Sequence, residues 1–287
     1  MAKDDTTTAA LAALRRRIDE VDDGLHDLLI RRTELVEEVG RVKHHDDVAA
    51  FRPGREAQVL RRLVSRHRGR FPRGAVVRIW REIIAGAVAM QAEISVAVCA
   101  GCWDLARDHF GSQMPLLAVP SSEEAANAVA EGRATLGVLP LAEEDVPEPW
   151  WLKLGALAER GPSVVARLPF GALGNATGAY DDAFVIAAMT PEPSGDDCTL
   201  LAIEAAVPGT AALTDAFLDA RLDVNPIARR ARDGRDAHLV EVEALVEPGD
   251  GRLARALDAL GDGARVAWLG LYARPLPDAV MGGVAPA

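Results

Sequence analysis

The spacing of apolar residues changes character near residue 93. Residues 9–92 carry apolar positions three and four apart, which is typical of amphipathic helices. The first such segment predicts a single helix of roughly 30 residues, about 45 Å long. Its apolar stripe consists of Leu11, Leu14, Ile18, Val21, Leu25, Leu28, Leu35, Val39 and Val42.

Two further helices are predicted before the spacing changes. Pro53 suits the first turn of a second helix, and "RHRGRFPRG" (66–74) ends it. The third helix contains "REIIAGAVAMQ" (81–91), whose apolar seam of Val77, Trp80, Ile84 and Ala87 leads to Gln91. An amide therefore stands where the pattern calls for an apolar residue.

Beyond Ile94 the pattern predicts short strands alternating with helices. Apolar runs such as "ISVAV", "CTLLAIEA" and "VAWLGLYA" indicate strands, and "TAALTDAFLDARL" and "RLARALDALG" indicate helices. The predicted fold class is therefore an all-α module followed by α/β and α+β domains. We expect the boundaries to be 1–93, 94–206 and 207–277, with a disordered tail at 278–287.

Several polar residues share the predicted buried faces of the helical module. Arg32 occupies a position where the stripe calls for an apolar residue, and Lys43 lies eleven residues later on nearly the same face. Glu56 shares a face with Leu60, and Arg55 stands beside it. Arg32 by itself is explained as well by an ion pair or a snorkelling side chain. Together, these residues and Gln91 indicate a cavity for a compact ligand with more than one carboxylate.

Arg15 does not fit a cavity built from one chain. It lies 17 residues before Arg32, roughly 25 Å along the helix, and points to a different side. Arg15 is either a surface residue or is supplied to the site by a second chain, and the long apolar stripe favours a dimer.

Composition and charge argue against several classes of protein. Residues 1–93 hold 18 Lys and Arg against 15 Asp and Glu, whereas 94–287 hold 14 against 28. The acidic larger part argues against nucleic acid as the main partner. Three cysteines, no signal-peptide pattern and no long apolar run lead us to expect a cytoplasmic protein without a membrane partner.

These residues resemble the all-helical chorismate mutases. The similarity covers residues 9–93 through "LRRRIDEVDDGLHDLLIRRTELVEEVGRVK", "FRPGRE" and "REIIAGAVAMQ". It implies an intertwined homodimer that binds chorismate and needs neither cofactor nor metal. In that family pattern, Arg15 comes from the partner chain and grips one carboxylate, and Arg32 binds a carboxylate within its own chain.

The resemblance also assigns the remaining pocket positions. It implies that Lys43 and Gln91 bind the ether oxygen, that Glu56 accepts a hydrogen bond from the ring hydroxyl, and that Arg55 lines the pocket. Two positions depart from some relatives, which carry an acidic residue at Arg52 and a serine at Ala87. The first change adds charge near the pocket mouth, and the second removes one polar contact.

The remaining two-thirds of the chain show a weaker resemblance to prephenate dehydratases. "GVLPLAEE" (137–144) is similar to their "GVLPIENS" turn, but Asp182, Ala183 and Phe184 stand at the positions of a Thr-Arg-Phe catalytic motif. We therefore predict no dehydratase activity. Residues 207–275 resemble an ACT domain whose ligand signature is eroded to Ala228–Ala231, so a structural role is favoured over an aromatic amino acid effector.

Two short motifs are less specific. "CAGC" could indicate a thiol or metal site at Cys99 and Cys102, and "HHDD" (44–47) resembles metal ligands, but the sequence offers no convincing ligand set for either.

The prediction for the whole chain is a chorismate mutase with a non-catalytic extension. The alternatives are a bifunctional mutase–dehydratase and a non-enzymatic regulatory binding protein.

Overall fold

The computed structural model describes residues 2–43, 50–141, 143, 146, 148–156, 161–173, 178–206, 209–232 and 234–281. Side chains are described over the same ranges except for residues 2–6, 42, 43 and 232. The chain divides into two compact units, residues 1–50 and 51–287, which are described separately.

The first unit is one long helix. Helix α1 spans Ala2–Lys43, 42 residues, so it is longer than the roughly 30 residues that the stripe predicts. Its apolar stripe is exposed, and Leu25 and Leu28 are 61% and 63% accessible. A helix this amphipathic needs a partner for that face.

Helices α2 (Pro53–Arg66) and α3 (Arg73–Ala89) open the second unit. Pro53 occupies the first turn of α2, as predicted, where its missing N–H costs no hydrogen bond. Helix α3 ends at Ala89, so Gln91 lies in the turn that follows and its backbone N–H binds the Val88 carbonyl.

An α/β part follows with five strands. Helices and loops join the strands. In chain order the elements of this part are β1 (Val96–Cys99), α4 (Trp103–Phe110), β2 (Leu116–Val119), α5 (Ser122–Ala130), β3 (Leu136–Pro140), α6 (Trp150–Ala156), β4 (Ser163–Leu168) and β5 (Ala183–Ala187). Strand β1 lies parallel to β2 and β3, and β5 pairs antiparallel with β3 and β4. Trp150 and Trp151 of α6 are fully buried on one face of the sheet.

The last part has a βαββαβ order. It comprises β6 (Asp197–Ala205), α7 (Thr210–Asp219), β7 (Val224–Arg232), β8 (Arg235–Val242), α8 (Gly251–Ala259) and β9 (Arg265–Ala273). Strand β6 pairs with β8 and β9, so this last part of the chain begins near Asp197 rather than at residue 207. A boundary at 206/207 would separate β6 from the strands to which it is hydrogen-bonded.

Both parts share one nine-stranded sheet in the order β2-β1-β3-β5-β4-β9-β6-β8-β7. They meet where β4 runs parallel to β9, at Val164 opposite Gly270. A side chain at position 270 would bring its Cβ to 2.6 Å from the Val164 nitrogen, so only glycine permits this approach. The helical module, the α/β part and the α+β part thus confirm the predicted fold class.

Helices α2 and α3 pack onto the C-terminal part of their unit. Leu60 and Val77 share an apolar cluster with Phe170, Ala273 and Met281. Met281 belongs to a short helix α9 (Asp278–Met281), although residues 278–281 fall in the predicted disordered tail. Residues 282–287 lie outside the described range. Among the described helices, none combines the length and apolarity that crossing a membrane requires.

We expect Gly270→Ala to lower the free energy of unfolding by about 3 kcal/mol, because the added Cβ collides with the β4 backbone. Gly86→Ala is the matched control. Apart from its chain neighbours and the backbone of its own helix, no atom lies within 4 Å of the new Cβ, and the position is inside α3, so this change should raise stability by about 1 kcal/mol. Urea unfolding checks both values, and two changes of the same sign would contradict the account of the β4–β9 contact.

Candidate functional site

The predicted cations of α1 differ in their surroundings. Arg15 is exposed, whereas Arg32 is partly buried. Nη1 of Arg32 is shielded from solvent and has no hydrogen-bond partner among the described residues. Desolvation lowers the pKa of Arg32 accordingly. The side chain of Lys43, at the end of α1, lies outside the described range, as do residues 44–47 of the "HHDD" motif.

The polar residues at the start of α2 are held by partners within their own unit. Nε and Nη2 of Arg52 donate to Oε2 of Glu192 at 2.9 and 2.7 Å. Arg55 is exposed and donates to Gln58 Oε1 at 3.2 Å. The close approach of this turn to the 192–193 segment explains Gly54, where a Cβ would lie 2.7 Å from the Glu192 carbonyl oxygen.

Glu56 forms a buried ion pair with Arg81 of α3. Arg81 Nη1 donates to Glu56 Oε2 at 2.8 Å, and the two residues are 5% and 9% exposed, respectively. Burial raises the pKa of Glu56 and lowers that of Arg81, while their attraction and hydrogen bond oppose both shifts. Oε1 of Glu56 has no hydrogen bond to any described residue, so it stays available to accept one.

Arg81 has a second contact on its other side. Its guanidinium carbon lies 5.3 Å from the centroid of the Phe170 ring, a cation–π geometry. Arg61 approaches the same ring at 5.7 Å and also donates to Ser194 Oγ at 2.9 Å. The sequence singled out Glu56 but missed Arg81. Its spacing of 25 residues from Glu56 gives no local signal, and Arg73 and Arg78 lie in the same helix, so the charge of Arg81 does not stand out.

Two positions of the predicted pocket, one near the end of α3 and one in the turn after it, are joined by a hydrogen bond. Ala87 is buried, and Gln91 Nε2 donates to the Ala87 carbonyl at 3.0 Å. The amide of Gln91 is partly exposed, so this local hydrogen bond can be exchanged for one to a ligand.

The positions of the dehydratase motif lie at β5. Ala183 and Phe184 are fully buried, and Asp182 pairs with Arg167 of β4 at 3.5 Å. Arg167 also donates to Glu241 at 2.8 Å, and Glu241 accepts a hydrogen bond from Tyr272. The guanidinium group of Arg167 is thus paired with two carboxylates.

The "CAGC" motif and the eroded ACT signature remain to be placed in the structure. Cys99 and Cys102 are free thiols, and burial raises their pKa values to about 11 and about 12. At the eroded ACT signature, Arg229 pairs with Asp236 and Arg230 donates to the Glu143 carbonyl. Both arginines of that stretch therefore have protein partners.

Comparison with known proteins identifies the family of the N-terminal part. Residues 14–92 match chorismate mutase type II, so this part of the chain carries a domain of that family. A bifunctional chorismate mutase/prephenate dehydratase of Pseudomonas aeruginosa is 31% identical over 140 residues, which cover 46% of this chain and 38% of that protein. The T-protein of Enterobacter agglomerans is 52% identical over 52 residues, 18% of this chain and 14% of that one.

One solved structure matches part of the chain. The prephenate dehydratase of Arthrobacter aurescens in complex with L-Phe matches 67% of this chain and 94% of its own with a TM-score of 0.44 and 14% identity. The alignment with the Pseudomonas aeruginosa enzyme spans less than two-fifths of that relative's length.

Replacing Arg81 by methionine should destabilise the protein by about 3–5 kcal/mol at pH 8, because Glu56 is left buried without its counter-charge. Arg78→Met is the matched control. Arg78 pairs with Asp108 at the surface, and its loss should cost about 1 kcal/mol or less. The double variant Glu56→Leu with Arg81→Met should recover at least about 2 kcal/mol of the loss.

The pH dependence of Arg81→Met gives a second check. Without Arg81, burial alone acts on Glu56 and holds its folded-state pKa above the ordinary value of 4.5. A carboxyl with a raised folded pKa favours folding at low pH, so the deficit relative to wild type should shrink as the pH falls from 8 towards 4.5. A deficit independent of pH would show that lost packing, rather than the unpaired carboxylate, causes it.

Proposed function

We propose that residues 1–93, paired with those of a second copy, catalyse the rearrangement of chorismate to prephenate. The observation that carries the proposal is the match of residues 14–92 to chorismate mutase type II, within which every predicted pocket residue falls. The shielded Nη1 of the partly buried Arg32, which has no acceptor among the described residues, supports it, because such an N–H donor is suited to a substrate carboxylate.

The reaction explains why the residues are donors and cations rather than nucleophiles. The rearrangement is an intramolecular pericyclic step, so the protein must hold the compact chair-like conformer and stabilise negative charge on the ether oxygen as its bond breaks. In the proposed site Lys43 supplies charge to that oxygen and Gln91 supplies an N–H that does not titrate. Arg32 fixes one carboxylate, and Arg55 and Arg52 contribute positive charge near the pocket.

Glu56 has a distinct role in the proposed site. Arg81 occupies only its Oε2, so Oε1 is free to accept the hydrogen bond of the ring hydroxyl. Arg81 thus acts as a positioning residue that keeps the carboxylate charged and oriented. Ala87 contributes only a small apolar surface, where some relatives carry a serine.

The second copy is needed for two reasons. Arg15 lies too far along α1 to reach the substrate held by Arg32 of the same chain. The exposed stripe of α1 also presents a long apolar face of the kind that pairs with another helix. We therefore infer a homodimer in which each chain donates Arg15 to the site of the other.

For the C-terminal part we propose a non-catalytic role. Asp182 and Ala183 supply no equivalent of a Thr-Arg pair, and Arg229 and Arg230 are bound to protein acceptors. A structural role is favoured over an aromatic amino acid effector at this region. A second candidate, the bifunctional enzyme, is favoured only by the names of the curated relatives. A cytoplasmic location stays a prediction from the sequence.

The turnover of chorismate at neutral pH, followed by ultraviolet absorbance, tests the proposal. Lys43→Ala should lower kcat by about 10²–10³-fold, because it removes the charge at the breaking bond. Arg17→Ala, an exposed cation on α1, should leave turnover unchanged. Prephenate as the sole product supports the proposal, phenylpyruvate supports the bifunctional enzyme, and no turnover by wild type leaves a binding protein.

Mixing two inactive variants tests whether Arg15 acts across the dimer. Arg15→Ala and Lys43→Ala chains, refolded together in equal amounts, form mixed dimers with one intact site each. Since half of the dimers are mixed, activity should recover to about a quarter of the wild-type value. Recovery would not occur if Arg15 served the site of its own chain.

Charged substitutions on the α1 stripe test the dimer itself. Leu25→Glu with Leu28→Glu should convert the dimer to a monomer in sedimentation equilibrium, since two carboxylates would be buried in the helix pairing. Leu218→Glu on α7, equally apolar and 51% exposed, should leave the mass unchanged. A wild-type protein that sediments as a monomer would contradict the proposed site.

A further inference from the structure

One face of helix α2 lies against the turn 192–196, which leads into β6. Gly54 and Gln58 are four residues apart, so they share this face. A Cβ at Gly54 would lie 2.7 Å from the Glu192 carbonyl oxygen. One helical turn further on, Gln58 Nε2 donates to the Ser194 carbonyl oxygen at 3.2 Å. Two successive turns of α2 thus contact a segment of the C-terminal part.

Arg61 extends this contact to the next turn of α2, because it lies on the same face. Its Nη1 donates to Ser194 Oγ at 2.9 Å, and its Nη2 donates to the carbonyl oxygens of Asp196 and Arg274 at 2.6 and 2.8 Å. One side chain therefore ties α2 both to the turn and to the residue that follows β9.

The turn is held in shape by its own hydrogen bonds. The carboxylate of Asp197 accepts from the backbone N–H groups of Ser194 and Gly195 at 2.9 and 3.0 Å, and also from Ser194 Oγ. Gly195 has a φ of 96°, which a residue with a side chain rarely adopts. Asp197 is buried and is the first residue of β6, so the turn is fixed to the sheet.

The carboxylate that the proposed site requires lies on the other side of α2. At about 100° for each residue, Glu56 is about 200° around the helix from Gly54. On that side its Oε2 accepts the hydrogen bond of Arg81 at 2.8 Å. The turn 192–196 therefore supports α2 from behind, and its position sets how far the Glu56 carboxylate reaches towards α3.

We propose that the turn 192–196 is a positioning element of the mutase site and that Arg61 is the main side chain through which it acts. By fixing α2 from behind, it keeps Oε1 of Glu56 where the ring hydroxyl is bound. Turnover then depends on the C-terminal part, even though the role of that part is non-catalytic. The inference rests on the proposed mutase function and deepens it by naming residues that position its site.

Adjacent arginines of α2 provide a matched test. Arg61→Met removes the three hydrogen bonds to the C-terminal part and should lower kcat/KM for chorismate by about tenfold or more, because a small displacement of a catalytic group has a large effect on rate. Arg62→Met removes the same charge at an exposed position and should turn over chorismate as wild type does. Wild-type kcat/KM in Arg61→Met, or an equal loss in both variants, would overturn the proposal.

Gly54→Ala tests the contact without removing a polar group. Its new Cβ collides with the Glu192 carbonyl oxygen, so α2 has to move away from the turn and kcat/KM should fall by about tenfold or more. Gly74→Ala is the matched change in the first turn of α3. There no atom outside its chain neighbours and its own helix backbone lies within 4 Å, so kcat/KM should stay unchanged. Full turnover by Gly54→Ala would overturn the proposal.

Gly137→Ala separates positioning from a general loss of stability. In β3 the new Cβ would lie 2.9 Å from Ile186 Cγ1, so this variant should melt at a lower temperature than wild type. At a temperature at which thermal unfolding shows every variant to be folded, it should keep the wild-type kcat/KM. A loss as large as that of Gly54→Ala would show that stability controls turnover, and would overturn the proposal.

Hydrogen exchange followed by mass spectrometry gives a readout that does not depend on activity. The backbone amides of α2 should exchange faster in Arg61→Met than in Arg62→Met, because fewer contacts hold the helix. Equal exchange in the two variants would overturn the assigned role of Arg61. No turnover by wild type would overturn the proposed function and this inference with it, whereas full turnover by Arg61→Met and Gly54→Ala would overturn the inference alone.

Discussion

The buried ion pair between Glu56 and Arg81 is the constraint on which the packing of the second unit depends. Two opposite charges at 2.8 Å are removed from water, so each is tolerable only while the other is present. The pair fixes α2 against α3, and the ring of Phe170 on Arg81 fixes both helices against the segment that follows β4. Leu60 and Val77 are buried in the same apolar cluster as Phe170.

The two units meet the same requirement for burial in different ways. The apolar faces of α2 and α3 are covered by residues of the C-terminal part, including Ala273 and Met281. The stripe of α1 is instead exposed along the helix in the single chain. The proposed dimer would cover that stripe with a second copy, and it is also the arrangement in which Arg15 is proposed to act across chains.

Local patterns were sufficient for most elements but not for their partners. The three-and-four spacing and Pro53 predicted the helices of the N-terminal region, and β1, β6 and β9 followed their apolar runs closely. The close β4–β9 contact at Gly270 depends on residues over 100 positions apart, so no window of sequence contains it. The pairing of Glu56 with Arg81, 25 residues apart, likewise lies outside any short window. The pattern also carried α3 on to Gln91, because the apolar seam continues up to that residue, whereas the helix ends at Ala89. Arg32 was recognisable because its charge interrupts a long stripe, whereas Arg81 has no comparable periodic background.

The protonation state of His109 decides what the neighbourhood of Arg81 can do. If the imidazole were charged, it would repel Arg81 and compete for the negative charge of Glu56, and the ion pair would lose its balance. Burial keeps the ring neutral, so Glu56 and Arg81 remain matched. Desolvation of His109 thus preserves the pairing of Glu56 with Arg81, on which the contact between α2 and α3 rests.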